Sequence, residues 1–435
     1  MKKGKLFTII SMLLVLIMIL TACGGSNTTD SKDEAGEIKL KMWVHVTDET
    51  DEGKVYLKRV QDFNEANKGK IKVDIEFIPR GGGGSGYEDK INTALTTGQL
   101  PDIITLDGPN TAAYADAGII VPIDKYIPKE VKDDYVDSII QQGTYNGKLY
   151  SLGIMESTVA LFYNKAIFKE LGIKPGTVDN PWTWDDLYNA AKKITKSKGY
   201  PALDMALNWT GEWKIYAYAP FVWSNGGDVI SADGLHADGI FNSKENVEAL
   251  SFIQKLVKEG LVSATPEDKS FHIGKSAMLL NGAWTIPDLE KNYKDLDWDV
   301  MPYPVSPKTK ELHVPTGSWA FAVTSNAKNV EAAAKVVEWM TNKESNIAIH
   351  NAIGMLPSRK SAIKEIDDFK KEGPYKVLMD QVLKGGHPRP RSVIYPIISR
   401  SFEEAIEAII YGEDVQKTLT NKMEQIEREA KRYRK

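Results

Sequence analysis

The chain of 435 residues carries ten tryptophans, six histidines and one cysteine. The tryptophans are Trp43, Trp182, Trp184, Trp209, Trp213, Trp223, Trp284, Trp298, Trp319 and Trp339. A large flat ring with one polar N–H suits the C–H face of a sugar ring. Trp209, Trp213 and Trp223 flank Gly, Asn and Asp, so their surroundings do not read as plain core. Others do. Trp339 lies in a stretch where Val330, Ala333, Val337 and Met340 share one helical face. Trp184 follows Thr183, an N-cap residue with Asp186 three positions on.

Other chemistries find less support. The histidines are scattered and no Cys/His cluster exists, so neither a transition metal nor a cofactor is expected. No Gly-x-Ser-x-Gly elbow occurs. Gly81 and Gly86 have phosphate-loop separation, but Tyr87-Glu88 follow where Lys-Ser/Thr is required. That run reads as a surface loop. Asp228, Asp233 and Asp238 do not keep calcium-loop spacing and read as turns. A glycoside hydrolase needs two carboxyl groups ~5–10 Å apart across a bond. Asp107 and Glu156 could be cast in those roles, although no hydrolase motif surrounds them.

The N-terminus reads as an address. Met1-Lys-Lys-Gly-Lys5 is positive, Leu6–Leu20 is mostly apolar, and Thr21-Ala22 are small. That is the order of a secretory signal peptide. Fifteen residues fall short of the ~20 that span a bilayer. Leu20-Thr-Ala-Cys23 resembles the bacterial lipobox. The resemblance implies that residues 1–22 are removed and that the Cys23 sulfur receives a diacylglyceryl anchor. Each buried methylene then adds about 0.8 kcal/mol of membrane affinity. No second cysteine exists to pair with Cys23 within the chain. Residues 23–36 are polar and read as a flexible tether. Without Lys2, Lys3 and Lys5 the chain keeps 52 basic and 59 acidic side chains, a formal −7. That argues against a nucleic-acid partner.

Patterning supplies the elements that would position a site. Ile38–Val44 and Ile71–Phe77 alternate as strands, and Pro101–Asp107 reads as a buried one. Helical patterns over Lys54–Asn67 and Tyr87–Gly98 separate them. Strand, helix, strand, helix, strand predicts a mostly parallel sheet. Ligands then sit beyond the carboxyl ends of the strands, where Trp43 and Asp107 lie. Further helices are expected at Thr183–Ser197, Ser243–Glu259, Asn329–Thr341 and Tyr375–Leu383. A long one, Ser401–Arg432, is interrupted near Tyr411-Gly412.

Several segments together resemble the extracellular solute-binding proteins of ABC importers, in the branch that includes maltose-binding protein. They are Thr97-Gly-Gln-Leu-Pro-Asp-Ile, Tyr145-Asn-Gly-Lys-Leu-Tyr-Ser-Leu, Leu161-Phe-Tyr-Asn-Lys-Ala-Ile-Phe and Trp182-Thr-Trp-Asp-Asp-Leu. Asn225-Gly-Gly, Phe271-His-Ile-Gly-Lys-Ser-Ala-Met, Gly282-Ala-Trp284, Pro357-Ser-Arg and Arg389-Pro-Arg391 follow in order.

The resemblance implies an α/β fold of two interleaved lobes joined by hinge segments. Lobe 1 would hold 37–155 and 318–353, and lobe 2 would hold 156–317 and 354–435. It also implies a monomer that delivers a carbohydrate, expected as an oligosaccharide, to a membrane permease, and that is not an enzyme. A non-sugar solute such as glycerol phosphate stays open, as does the hydrolase. Trp284 matches the family's stacking aromatic. Trp43, Trp223 and Trp319 are further aromatic candidates. Asp107 and Glu156 could accept sugar hydroxyls from opposite lobes, and Arg391 could donate to them.

Overall fold

The computed structural model describes residues 36–80, 86–317 and 319–434. The leader, Cys23, nearly all of the tether and the glycine run at 81–85 lie outside them. Two sheets organise the chain. The first runs in the order Ile71–Phe77, Ile38–Val44, Ile103–Asp107, Trp319–Val323, Ser151–Gly153. Its first three strands are parallel, as predicted. Trp319–Val323 is antiparallel to both its neighbours. This strand returns from the other lobe rather than through a crossover helix, so nothing forces it parallel.

Alternation in Ile38–Val44 sets the two faces of this sheet. Leu40, Met42 and Val44 pack with Tyr56, Val60 and Phe63 of helix Asp51–Ala66. Trp43 faces the other way, among Tyr87, Ile91 and Ala94 of helix Gly86–Thr97. Burying a side chain such as Phe63 stabilises the lobe by about 1.5–3 kcal/mol.

The second sheet runs Trp298–Met301, Val159–Asn164, Met278–Gly282, Leu203–Asp204. Its first two pairings are antiparallel and its last is parallel. Helices Trp184–Lys198, Glu212–Ser224, Lys244–Lys258 and Tyr395–Ile410 bury their apolar residues in the same cluster. Thr183 caps the first of these with the predicted reciprocal bond to Asp186. Helix Glu212–Ser224 has no counterpart in the sequence patterning. Twelve of its residues, Trp213 to Ser224, are buried, so it has no polar face to create a period. The long terminal helix is two helices, Tyr395–Ile410 and Val415–Ala430. It begins earlier than expected because a proline is tolerated in its first turn. It breaks at Gly412, whose φ is +105°, and Asp414 caps the next helix.

The chain passes between the two cores three times. Core membership changes between Met155 and Val159, between Val314 and Phe321, and between Met355 and Leu356. Met155–Glu156 pairs with Leu356–Pro357, and Val314–Thr316 pairs with Gly386–Pro388. Glu156 is fully buried at the first passage. It accepts the Ser157 N–H at 2.8 Å, and also the Ser138 hydroxyl and the Gly317 N–H. Burial raises its carboxyl above the usual range, and these donors oppose that rise. One side chain therefore joins the first passage, the second passage and helix Asp137–Gly143.

Gly317 sits at φ +96°, and a Cβ there would lie 1.8 Å from the Gln142 amide. Gly69 shares a positive φ of +73° but has open space around it. Gly69→Ala should therefore cost about 1 kcal/mol of backbone strain alone. Gly317→Ala should cost a further 1–3 kcal/mol or so through overpacking. Thermal melts of the two variants check this. Equal midpoints would mean that Gln142 moves aside freely.

Candidate ligand-binding cleft

Strand Met278–Gly282 ends in Gly282-Ala-Trp284, and the Trp284 ring folds back over Gly282. A Cβ on Gly282 would stand 2.2 Å from two atoms of that ring, so the glycine makes the fold-back possible. Trp284 is half-buried and packs against the cores of both lobes. Its ring lies 6.1 Å from Trp213 and 6.3 Å from Tyr216. Trp209 extends this group, 4.9 Å from Trp213 and 42% exposed. A cavity of about 190 Å³ opens beside Trp209 and Trp284. Asn208, Asn281, Asp268 and Asp288 add amide and carboxylate groups to its walls.

An ion triad joins this aromatic group to the first lobe. Arg389 donates to both oxygens of Asp107, at 2.8 and 2.7 Å, and to Glu212 at 2.7 Å. Asp107 ends a strand of the first sheet, while Glu212 opens a helix of the second core. Tyr395 and Ser399 donate to Glu212. The Arg389 guanidinium lies 5.0 Å from the Tyr216 ring centroid. Burial works against its charge, but Asp107, Tyr395 and Glu212 more than offset this and hold its pKa above the ordinary range. Two-pronged Arg–carboxylate bonds are among the stronger ones. Removing one partner of such a buried pair costs about 3–5 kcal/mol, because it strands the other charge.

The first lobe adds a second aromatic group. Trp319 stands opposite Asp107 in the sheet. His45 stacks on it at 3.2 Å and 9°, and Arg80 lies 5.3 Å from the same ring. Arg80 is paired with Glu88 at 3.5 Å. Behind His45, Glu52 lies 3.4 Å from Nε2 and accepts the Tyr56 hydroxyl at 2.6 Å. Burial, with a smaller contribution from Arg80, lowers the His45 pKa. Burial pushes the Glu52 carboxyl up to about 7.

The structure brings together only part of the set expected from sequence. Trp284 lines the cavity, Asp107 reaches the same aromatic group through Arg389, and Trp319 stands beside Asp107 in the first sheet. Glu156 is enclosed at the passage between lobes, with both carboxylate oxygens engaged. Trp43 is packed under helix Gly86–Thr97 with Lys90 4.4 Å from its ring, and it is His45, two residues on, that stacks on Trp319. Trp223 is buried at the opposite end of its helix from Trp213. It stacks on His387 at 4.1 Å, and its N–H donates to Asp228 at 3.3 Å. Its surroundings make it a packing residue.

Arg391 is exposed and donates to the Gln141 carbonyl at 3.3 Å. In Arg389-Pro-Arg391 it is Arg389 that turns inward. Sequence reasoning also missed Glu212, Tyr216 and His45. The only available signal was the placement of Glu212 next to Trp213. Asp107 and Glu156 do not form a free carboxyl pair, because each is committed to other partners. Among the described residues, no group of three or more His, Cys, Asp or Glu could hold a metal ion.

Residues 47–347 match the model of the bacterial extracellular solute-binding protein family, and the chain belongs to that family. It is similar to the diacetylchitobiose binding protein of Streptomyces coelicolor, with 25% identity over 381 residues, 82% of this chain and 83% of that one. It is similar also to a maltooligosaccharide ABC transporter solute-binding lipoprotein of Streptococcus pneumoniae. There the identity is 25% over 362 residues, 79% of this chain and 78% of the relative. Among solved structures, the cyclic alpha-maltosyl-1,6-maltose binding protein of Arthrobacter globiformis superposes with a TM-score of 0.76 at 23% identity. That match covers 91% of this chain and 99% of the other. It establishes the two-lobed periplasmic-binding-protein-like fold.

The Glu52 carboxyl lies at about 7 in the fold against 4.5 ordinarily. Between those values the folded chain keeps a proton that the unfolded chain has released. The stability this group contributes is complete below the unfolded value and is lost as pH rises through the folded one. Glu52→Gln removes that titration. Its stability relative to wild type should therefore rise between about pH 5 and pH 8. Urea unfolding at several pH values reads this directly. A constant difference would mean that Glu52 is already ionised at the acidic end.

Proposed function

We propose that this chain captures a neutral oligosaccharide between its two lobes and presents it to the permease of an ABC importer. The observation that carries this reading is the second-lobe cavity flanked by Trp209 and Trp284, with Trp213 packed between the two rings and amides and carboxylates in its walls. Flat apolar faces for the rings and polar groups for the hydroxyls are what a sugar requires. Relatives of similar length are named for oligosaccharides.

Charge favours a neutral cargo over glycerol phosphate. The two arginines of the cleft are already engaged, Arg389 by Asp107 and Glu212, and Arg80 by Glu88. A phosphate would have to displace those carboxylates. The same commitments weigh against hydrolysis, since Asp107 and Glu156 lack the freedom of an acid and a nucleophile. The protein on this reading is a binder and not an enzyme, and it works as a monomer. The lobes divide as 37–155 with 318–353, and 156–317 with 354–435. Sugar contacts on both lobes would then bias the pair toward closure. Cys23 carries the lipid anchor and holds the domain at the outer face of the cytoplasmic membrane, a reading supported by the lipobox and by the lipoprotein relative.

Tryptophan fluorescence of the chain from Asp30 onward tests the reading, with diacetylchitobiose, maltotriose, arabinotriose and glycerol 3-phosphate as probes. One sugar should saturate with a midpoint near 10⁻⁶ M, roughly −8 kcal/mol. Trp284→Ala should weaken it at least tenfold, about 1.4 kcal/mol. Long incubation should leave every glycosidic bond intact. Saturation by glycerol 3-phosphate alone, or released monosaccharide, would overturn the proposal.

A further inference from the structure

Lys214 lies inside the second lobe with 1% of its surface exposed. Its ammonium donates to the Leu207 carbonyl at 2.5 Å. Burial lowers its pKa, and the charges of Glu407 and Glu403 oppose that shift. A buried cation is costly, and an apolar side chain of similar length would suit a core at least as well. Core stability alone therefore gives no reason for a lysine here.

The neighbours of Lys214 supply one. Three consecutive carbonyls of one loop are caught by three side chains of the same helix. Tyr218 donates to Met205 O at 2.5 Å, Trp213 to Ala206 O at 3.0 Å, and Lys214 to Leu207 O. At the far end of the loop, Glu403 accepts the Gly211 N–H. Ala206 is held at φ +52°, a conformation that persists only where its surroundings enforce it. Between these fixed points Asn208, Trp209 and Thr210 stand exposed. Trp209 is thus presented to the cavity from a loop fastened at both ends.

We propose that Lys214 is a positioning residue for ligand binding: through the Leu207 carbonyl it fixes the 205–211 loop so that Trp209 stands preorganised as one wall of the cleft. The ligand then bears little of the cost of ordering that wall. The inference rests on the oligosaccharide reading for its functional half. Its structural half, the fixing of Trp209, stands independently.

Fluorine NMR of 5-fluorotryptophan-labelled protein tests the structural half without ligand, the Trp209 resonance being assigned with Trp209→Phe. In Lys214→Met that resonance should sharpen and move toward free 5-fluorotryptophan, while the thermal midpoint stays level or rises. For whichever of diacetylchitobiose, maltotriose or arabinotriose saturates wild type, Lys214→Met should raise Kd at least fivefold. In a Trp209→Phe background the same substitution should change Kd less than twofold, because coupled sites are non-additive. Lys214→Gln, which keeps a donor on a shorter stem, should fall between the two.

An unmoved Trp209 resonance overturns the proposal. So does full additivity with Trp209→Phe, or a midpoint for both Lys214 variants well below wild type, which would place the cation in the service of the core. A flat response of wild type to all three sugars would overturn the oligosaccharide reading and leave the resonance to decide the role of Lys214.

Discussion

The guanidinium of Arg389 sits where the two lobes meet, and the cleft is organised around it. It holds Asp107 of the first sheet with two bonds and Glu212 of the second core with a third. Each of the three groups is too enclosed to stand alone, since an unpaired buried charge costs several kcal/mol. Their mutual satisfaction fixes the strand end at Asp107 against the helix start at Glu212. It also brings Tyr216, and through it Trp284, to the strand end at Asp107, which Trp319 stands opposite in the sheet. The triad pairs its own charges as it does so, while the Asp268 and Asp288 carboxylates stand in the cavity wall. The site is rich in rings, amides and carboxylates, which suits a cargo of hydroxyls.

Rigidity around the aromatic wall comes from unlike sources. Trp284 is held by the absence of a side chain at Gly282. Trp209 is held by carbonyls anchored from beneath. Trp319 is covered by His45 on one side and approached by Arg80. Of the three rings, Trp209 and Trp284 line the cavity and Trp319 does not. The two rings that line the cavity thus both belong to the second lobe.

Much of the fold was legible in the sequence because amphipathic period and caps are local signals. The Thr183 cap and the alternation of Ile38–Val44 both appear as written. Helix Glu212–Ser224 was hidden because burial on every side erases periodicity. The site was less legible. Trp43 and His45 are two residues apart at the end of one strand, and only the packing of helix Gly86–Thr97 decides which meets Trp319. Arg389 and Arg391 differ in nothing that composition records. One is buried against two carboxylates distant in sequence, and the other faces water. Spacing along a chain carries no information about such partners.

The interleaving of the lobes has a consequence for how the molecule is made. Strand Trp319–Val323 lies between Ile103–Asp107 and Ser151–Gly153. Both of those partners leave the ribosome early, yet the strand that joins them follows the whole 159–301 sheet of the other lobe. Until it arrives, the first sheet has two open edges facing each other. Pairings of such long sequence separation form slowly, and open edges invite the wrong partner. A nascent chain must therefore be kept from folding or shielded while the 165 residues between Gly153 and Trp319 are still being made. The architecture that gives the mature protein a two-walled cleft also sets the order of its assembly: the first lobe is completed by Trp319–Val323 and the helices that follow it, and the second only when Tyr395–Ile410 and Val415–Ala430 arrive.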